Sequence, residues 1–165
     1  MKKYTLPYFG ELDFSGGEDF YEVEATVGGL SLSLDIDFEG ETPSPEALKH
    51  VEQFLLQLPI SLDKAKACIN QELGRTPGFV VDYVSFFKDA IEENGDVDDY
   101  IDKSNTDESI EQQLLNRLYL LRVGIYPSGG AFAILDYTID EEYTDDLLVV
   151  YLSKNGEVEG TTIES

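Results

Sequence analysis

The chain has 165 residues, of which 34 are acidic and 11 are basic, and its formal net charge is −23. This charge argues against binding to nucleic-acid phosphates or to anionic membrane surfaces, because both attract an excess of Lys and Arg. With 42% apolar residues, the sequence is too hydrophobic to be disordered because of its charge alone, and its length suits one domain.

The start of the chain and its cysteine content predict a cytoplasmic protein. The residues that follow Met1 lack the apolar run of a signal peptide, and no stretch of about 18 apolar residues predicts a membrane span. The single cysteine, Cys68, excludes an internal disulfide and suits a reducing compartment.

The first 40 residues predict β-strands. Apolar and polar side chains alternate along residues 20–27 and 30–38, as in strands with one buried face. Gly28-Gly29 lies between them and suits a two-residue turn with positive φ at both positions. The pattern predicts an antiparallel hairpin in which Val27 lies opposite Leu30. Two shorter strands are expected before it, at residues 4–8 and 9–14.

The central segment, 43–117, predicts about four helices. Apolar residues recur there at helical spacing over residues 44–58, 61–73, 79–91 and 107–117. Pro59 is expected to end the first helix and Ser61 to cap the second, so that the two helices form a hairpin.

The last third predicts strands again. They are expected at residues 119–126, 131–138, 147–153 and 158–163. Asn155-Gly156, between the last two, favours a type I′ turn. We therefore predict an α+β fold over one domain, 1–165, with strands in 1–40, helices in 43–117 and strands in 119–164. Its mostly antiparallel sheet is built from the N- and C-terminal hairpins, and the helices pack on one face.

The register of the first hairpin gathers carboxylates. Glu22 lies opposite Asp35, and Glu24 and Asp37 share their face, which is expected to be exposed. Like charges directly opposite each other destabilise a sheet by up to about 1 kcal/mol per pair. Nothing in the hairpin neutralises them. The face is either an ordinary solvated surface that discourages edge aggregation, or a docking surface for a basic protein whose charge relieves the repulsion.

The densest run of carboxylates covers residues 136–146 and admits a second hypothesis, a carboxylate-based hydrolase. That enzyme needs a concave pocket with at least two carboxylates, one of them with a raised pKa. The candidates are Asp136, Asp140, Glu141 and Asp145. A calcium-dependent enzyme is a variant of this hypothesis, although the run 96–99 lacks the glycine that a calcium loop has at its sixth position.

Other chemistries lack their residues. His50 is the only histidine, so His50 and Cys68 cannot complete a tetrahedral zinc site, and we assign both to packing or surface roles. Gly129-Gly130 is not followed by the Lys-Ser/Thr of a phosphate-binding loop. We assign no catalytic residue, metal or cofactor.

Several segments resemble a bacterial family known only as a domain of unknown function, number two-thousand-four. The most specific are Asp-Tyr-Thr-Ile at 136–139 and Tyr-Thr-Asp-Asp-Leu-Leu at 143–148. Further similar segments are 9–12, 58–70, 123–127, 149–150, 155–156 and 164–165. The resemblance covers nearly the whole chain. It implies a small cytoplasmic bacterial protein without established activity, of a general kind that often serves as a toxin-neutralising immunity protein.

Our first hypothesis is a non-enzymatic module that binds a basic protein, such as an immunity protein that neutralises a basic toxin. Complementary charge would speed encounter, and a tyrosine would serve as an anchor. The predicted partner-binding residues are Glu22, Glu24, Asp35, Asp37, Asp140, Glu141, Tyr143 and Asp145. A third hypothesis is a nucleic-acid mimic, with carboxylates spaced like phosphates along an elongated face.

Overall fold

A computed structural model of the protein describes residues 3–165 and confirms the α+β class. The strands are β1 (Lys3–Leu6), β2 (Gly10–Asp13), β3 (Phe20–Val27), β4 (Leu30–Asp37), β5 (Tyr119–Ile125), β6 (Ala133–Thr138), β7 (Leu147–Leu152) and β8 (Val158–Glu164). The helices are α1 (Pro45–Leu56), α2 (Leu58–Glu72), α3 (Phe79–Asn94), α4 (Val97–Tyr100) and α5 (Ile110–Leu115).

The main sheet has six strands in the order β3-β4-β5-β6-β7-β8, and β1 pairs with β2 in a separate two-stranded sheet. All neighbours in the main sheet are antiparallel except β4 and β5, which are parallel. A parallel pair needs a long crossover connection, and the helical segment α1–α5 provides it. The predicted, mostly antiparallel sheet is confirmed.

The predicted first hairpin is confirmed in its register and in its turn. Val27 pairs with Leu30 and Glu22 pairs with Asp35. Gly28 and Gly29 have φ of 56° and 84°, as a type I′ turn requires.

The junction of the first two helices differs from the prediction. Pro59 lies in the first turn of α2, where its missing N–H has no intrahelical partner to lose. The helix is preceded by Gln57, which makes no side-chain cap. Ser61 is buried inside α2, and its hydroxyl donates to the carbonyl of Gln57 at 3.3 Å. The expectations that Pro59 ends α1 and that Ser61 caps α2 are therefore wrong.

The last hairpin also has a different turn from the one predicted. Gly156 has a φ of 79°, whereas Asn155 does not have positive φ. The Gly156 N–H donates to the carbonyl of Ser153 at 2.9 Å, and the Ser153 N–H donates to the carbonyl of Glu157 at 2.9 Å. This is a three-residue loop with a glycine bulge, so the type I′ prediction is wrong here.

The two faces of the main sheet have different surroundings. Leu34, Ile36 and Val123 on the inner face are fully buried and belong to one hydrophobic cluster with side chains of α1, α2, α3 and the β1–β2 sheet. On the outer face, Glu22 and Glu24 are exposed. None of the helices within residues 3–165 has both the length and the hydrophobicity needed to cross a bilayer.

We expect Gly29→Ala to lower the free energy of unfolding by about 1 kcal/mol, because alanine is strained in the left-handed region. A Cβ at Gly29 would meet no atom within 4 Å, so the change tests the backbone alone. Gly16→Ala is the control, since its Cβ also meets open space and its φ lies outside the left-handed region. Urea-induced unfolding measures both, and an equal loss in the two variants would contradict the turn assignment.

Candidate functional site

Four side chains meet on the outer face of the main sheet, and we call them the Arg122 cluster: Arg122, Asp35, Asp136 and Tyr126. Arg122 of β5 pairs with Ser33 of β4 on one side and with Asp136 of β6 on the other. Strand alternation places Asp35, Arg122 and Asp136 on the same face. Arg122 is the only basic residue in β3–β8.

The guanidinium of Arg122 forms hydrogen bonds with one side chain of β4, one of β6 and Tyr126, which follows β5. Its Nε donates to Oδ2 of Asp35 at 2.6 Å, and its Nη2 donates to Oδ1 of the same carboxylate at 2.8 Å. Nη1 donates to Oδ2 of Asp136 at 3.1 Å, and Nη2 also donates to the hydroxyl of Tyr126 at 2.6 Å. This bidentate geometry is the strongest form of a charge-assisted hydrogen bond in proteins.

Gly124 makes room for this arrangement. A Cβ built on Gly124 would lie 2.5 Å from Nη2 of Arg122 and 2.8 Å from its Cζ. The guanidinium therefore lies directly on the backbone of β5, between the strands that carry its two carboxylates. Close approach, not an unusual φ, is the reason for glycine at this position.

The environment of Asp35 corrects the sequence analysis. Asp35 was expected to be exposed beside Glu22, but it is 2% exposed and paired with Arg122. The partner comes from β5, which reaches this strand only through the crossover, so the hairpin sequence held no sign of it. The expectation that Asp35 is exposed is therefore wrong, and its charge is neutralised by a residue from outside the hairpin.

Burial and hydrogen bonding shift two pKa values in the cluster. Desolvation raises the pKa of Asp136 above its ordinary value, although the hydrogen bond from Arg122 opposes this effect. Desolvation works against the charge of Arg122, yet the hydrogen bonds with Asp35 and Tyr126 outweigh it and raise the pKa of the guanidinium. Arg122 therefore stays a fixed positive charge.

The remaining carboxylates of the outer face are open to solvent or nearly so. Glu22 and Glu24 are exposed, and Asp37 is half-buried and accepts a hydrogen bond from the Glu39 N–H at 2.7 Å. Six carboxylates and one guanidinium give this face a formal charge of −5. The six are Glu22, Glu24, Asp35, Asp37, Asp136 and Glu164.

The second predicted acidic segment is a loop, residues 139–146, fastened to α3 and α4. The Tyr100 hydroxyl donates to Oδ2 of Asp140 at 2.7 Å, which lowers the pKa of Asp140. Tyr143 packs against Phe87, with ring centroids 5.2 Å apart, and its hydroxyl donates to the carbonyl of Ala90 at 3.2 Å. Asp140 and Tyr143 are thus engaged within the chain. Glu141 and Asp145 are exposed.

The two acidic regions lie at opposite ends of the main sheet. Asp35 and Asp37 are near the end of β4, which is parallel to β5. The loop leaves β6 after Thr138, which pairs with Tyr119 at the start of β5. The eight predicted partner-binding residues therefore form two separate regions, because strand direction reverses between β5 and β6.

The carboxylates proposed for a hydrolase lie in two different places and do not form one pair. Asp136 has the raised pKa that such an enzyme needs, but it is bonded by Arg122 on the outer face. Asp140 is bonded by Tyr100 in the loop and has a lowered pKa. Within residues 3–165, no three His, Cys, Asp or Glu side chains are placed to hold a metal ion.

Sequence reasoning missed Arg122, Gly124 and Tyr126 as parts of a site. One signal was present, since Arg122 is the lone basic residue among the strands that were expected. Its partners were hidden, because a parallel pairing between distant strands leaves no local pattern.

Comparison with protein-family models, with curated proteins and with solved structures finds no match for this chain. The resemblance to the family of unknown function therefore stays a prediction.

We expect Gly124→Ala to lower the free energy of unfolding by about 2 to 4 kcal/mol, because its Cβ displaces the guanidinium and leaves Asp35 buried without a charge partner. Gly160→Ala is the matched control on the outer face of β8, where a Cβ meets nothing within 4 Å. Urea-induced unfolding distinguishes them. Equal stability of the two variants would show that Arg122 does not depend on Gly124.

We expect Asp136→Asn and Asp140→Asn to change the pH dependence of stability in opposite directions. A raised folded pKa stabilises the protein at low pH, and this contribution is lost as the pH rises through the folded value. Relative to wild type, Asp136→Asn should therefore gain stability as the pH rises above 3.8, by about 1.4 kcal/mol per unit of raised pKa.

Asp140 behaves in the opposite sense because its pKa is lowered. Its contribution is present above 3.8 and is lost as the pH falls, so Asp140→Asn should lose stability relative to wild type as the pH rises. Urea-induced unfolding over a pH series measures both slopes. Slopes of the same sign would contradict the assigned environments.

Proposed function

We propose that this protein is a non-enzymatic binding module whose outer sheet face docks a basic protein surface, as an immunity protein does when it neutralises a basic toxin. One observation carries the proposal. The outer face holds six carboxylates but a single cation, Arg122, and that cation is already bonded to Asp35 and Asp136. The other carboxylates of the face keep their charge available for a partner.

The part of this face best suited to bind a basic partner is the edge formed by β3. We call it the β3 patch, and it consists of Phe20, Glu22, Glu24 and Asp37. Glu22 and Glu24 are exposed and lie on the same face of the edge strand. Neither forms an ion pair with any residue of the described chain, 3–165. Basic side chains of a partner would relieve the repulsion between Glu22 and Glu24, and this relief would add to the affinity of the complex.

Phe20 adds an aromatic anchor to the β3 patch. It pairs with Asp37 and is 49% exposed on the face that carries the glutamates. An exposed aromatic ring beside carboxylates suits an arginine, whose guanidinium can stack on the ring while it pairs with a carboxylate. Aromatic residues and arginine are also the commonest energetic centres of protein interfaces.

The Arg122 cluster prepares this surface for binding. It holds the two inner carboxylates and leaves the edge carboxylates free to pair with a partner's cations. The net charge of −23 adds long-range attraction that accelerates encounter with a cationic protein. The loop carboxylates Glu141 and Asp145, at the other end of the sheet, stay predicted contacts of a separate region.

Paired charge reversals test the proposal. A fluorescein-labelled peptide of alternating Arg and Gly is titrated with wild type and with the variant Glu22→Lys/Glu24→Lys. We expect the reversal to weaken binding by about tenfold or more at low salt, since it places cations opposite the cations of the ligand. Fluorescence anisotropy reports the dissociation constant.

The matched control is Glu92→Lys/Glu93→Lys on α3, where both glutamates are exposed. It changes the net charge by the same amount, so general attraction falls equally in the two variants. We expect this control to weaken binding of the peptide by less than about threefold. Equal weakening by both reversals would overturn the proposal, because binding would then follow net charge alone.

A further inference from the structure

A cavity of about 610 Å³ lies at the end of the main sheet where β4 and β5 begin. Its wall is formed by α2, the end of α5, the turn between β3 and β4, and the start of β5. The outer-face carboxylates take no part in that wall. This volume is within the range of about 300 to 1,000 Å³ that is typical of small-molecule sites.

The body of the cavity is apolar. Leu62, Ile69, Leu115 and Leu120 line it and are buried, and Leu118 adds a partly buried side chain. Such a wall favours the aromatic or aliphatic part of a ligand through burial of apolar surface.

Tyr137 contributes a polar group that lacks a partner. Its side chain lines the cavity and is 7% exposed. Its hydroxyl forms no hydrogen bond with any residue of the described chain, and desolvation alone raises its pKa. Every fully enclosed side-chain polar atom in residues 3–165 does have a partner, so the Tyr137 hydroxyl keeps an opening to solvent. The cavity that Tyr137 lines is a space into which this hydroxyl can open.

Tyr83 is a buried tyrosine whose hydroxyl, unlike that of Tyr137, has hydrogen-bond partners within the protein. It is 2% exposed, and its hydroxyl contacts the hydroxyl of Thr138, the carbonyl of Asp146 and the N–H of Ile139 at 3.2 to 3.4 Å. No residue of the described chain gives the Tyr137 hydroxyl such a partner. A ligand that enters the cavity could supply a hydrogen-bonding group for it.

The mouth of the cavity carries one cation. Lys66 lies on α2 and is in none of the ion pairs formed within residues 3–165. Asp63 lies one turn earlier and Asn70 one turn later on the same helix, and Asn116 also lines the cavity. Lys66 supplies the one positive charge of the lining, and Asp63 beside it opposes a ligand with more than one negative charge.

We propose that this cavity binds a small organic monoanion with an aromatic or aliphatic body. The body packs against the leucine and isoleucine wall, a hydrogen-bonding group meets the Tyr137 hydroxyl, and the negative group pairs with Lys66 at the mouth. This site is independent of the proposed docking function, because it involves none of the outer-face carboxylates.

Two fluorescent probes with the same aromatic body test the site. Anilinonaphthalene sulfonate carries one negative charge, and N-phenylnaphthylamine carries none. We expect wild type to bind each at one site per chain. Lys66→Gln should weaken binding of the sulfonate by about fivefold, as loss of one exposed ion pair implies. Binding of the neutral probe should not change.

Lys49→Gln is the matched control, since Lys49 is exposed on α1 and lies outside the cavity wall. It removes the same charge and should change neither probe. Asn70→Trp, which fills the mouth, should abolish binding of both. Absence of saturable binding in wild type, or equal weakening by the two lysine variants, would overturn the proposal.

The tyrosine pair supplies a readout that needs no ligand. Tyr137→Phe should leave the urea midpoint unchanged or raise it, whereas Tyr83→Phe should lower it, because only Tyr83 loses hydrogen bonds. A lower midpoint for Tyr137→Phe would show that its hydroxyl already has a partner in the free protein, and the assignment of Tyr137 to the ligand would be overturned.

Discussion

The structure depends on one ion pair, that between Arg122 and Asp35. A carboxylate that is 2% exposed on a sheet face needs a cation, and β3–β8 contain only one. Removing Arg122 would leave the buried Asp35 uncompensated, and an uncompensated buried charge is among the most destabilising defects in a protein. Gly124 belongs to the same constraint, since only a residue without a Cβ lets the guanidinium lie on the strand between its carboxylates.

This pair also divides the acidic residues by role. Asp35 and Asp136 are held by Arg122, and Asp140 is held by Tyr100, so these carboxylates stabilise the fold. Glu22 and Glu24 form no such bond in the described chain and give the edge strand its negative charge. A strongly acidic protein can thus contain both structural and available carboxylates, and only the available ones support docking of a basic partner.

The docking face and the ligand cavity that we propose would serve two different kinds of recognition. The outer face spans six strands and is negative, which suits a large cationic surface and rapid association. The cavity is apolar and ends in one lysine and one unpartnered tyrosine hydroxyl, which suits a small molecule of the opposite charge to that partner. The outer-face carboxylates take no part in the cavity wall, so one region can be altered while the other is left intact.

The sequence by itself determined the elements whose signals are local. The alternation in residues 20–38 and the glycine pair at 28–29 predicted the first hairpin to the residue, and periodicity located α3 and the C-terminal strands. Local signals were misleading where one residue type suits two positions, as at Pro59, or where turn length decides, as at Asn155. Only the tertiary structure decided that Asp35 is buried, that the two acidic regions are separated and that Tyr137 faces a cavity. Each of these depends on strands far apart in the chain meeting through a helical crossover, and no pattern of neighbouring residues records such a meeting.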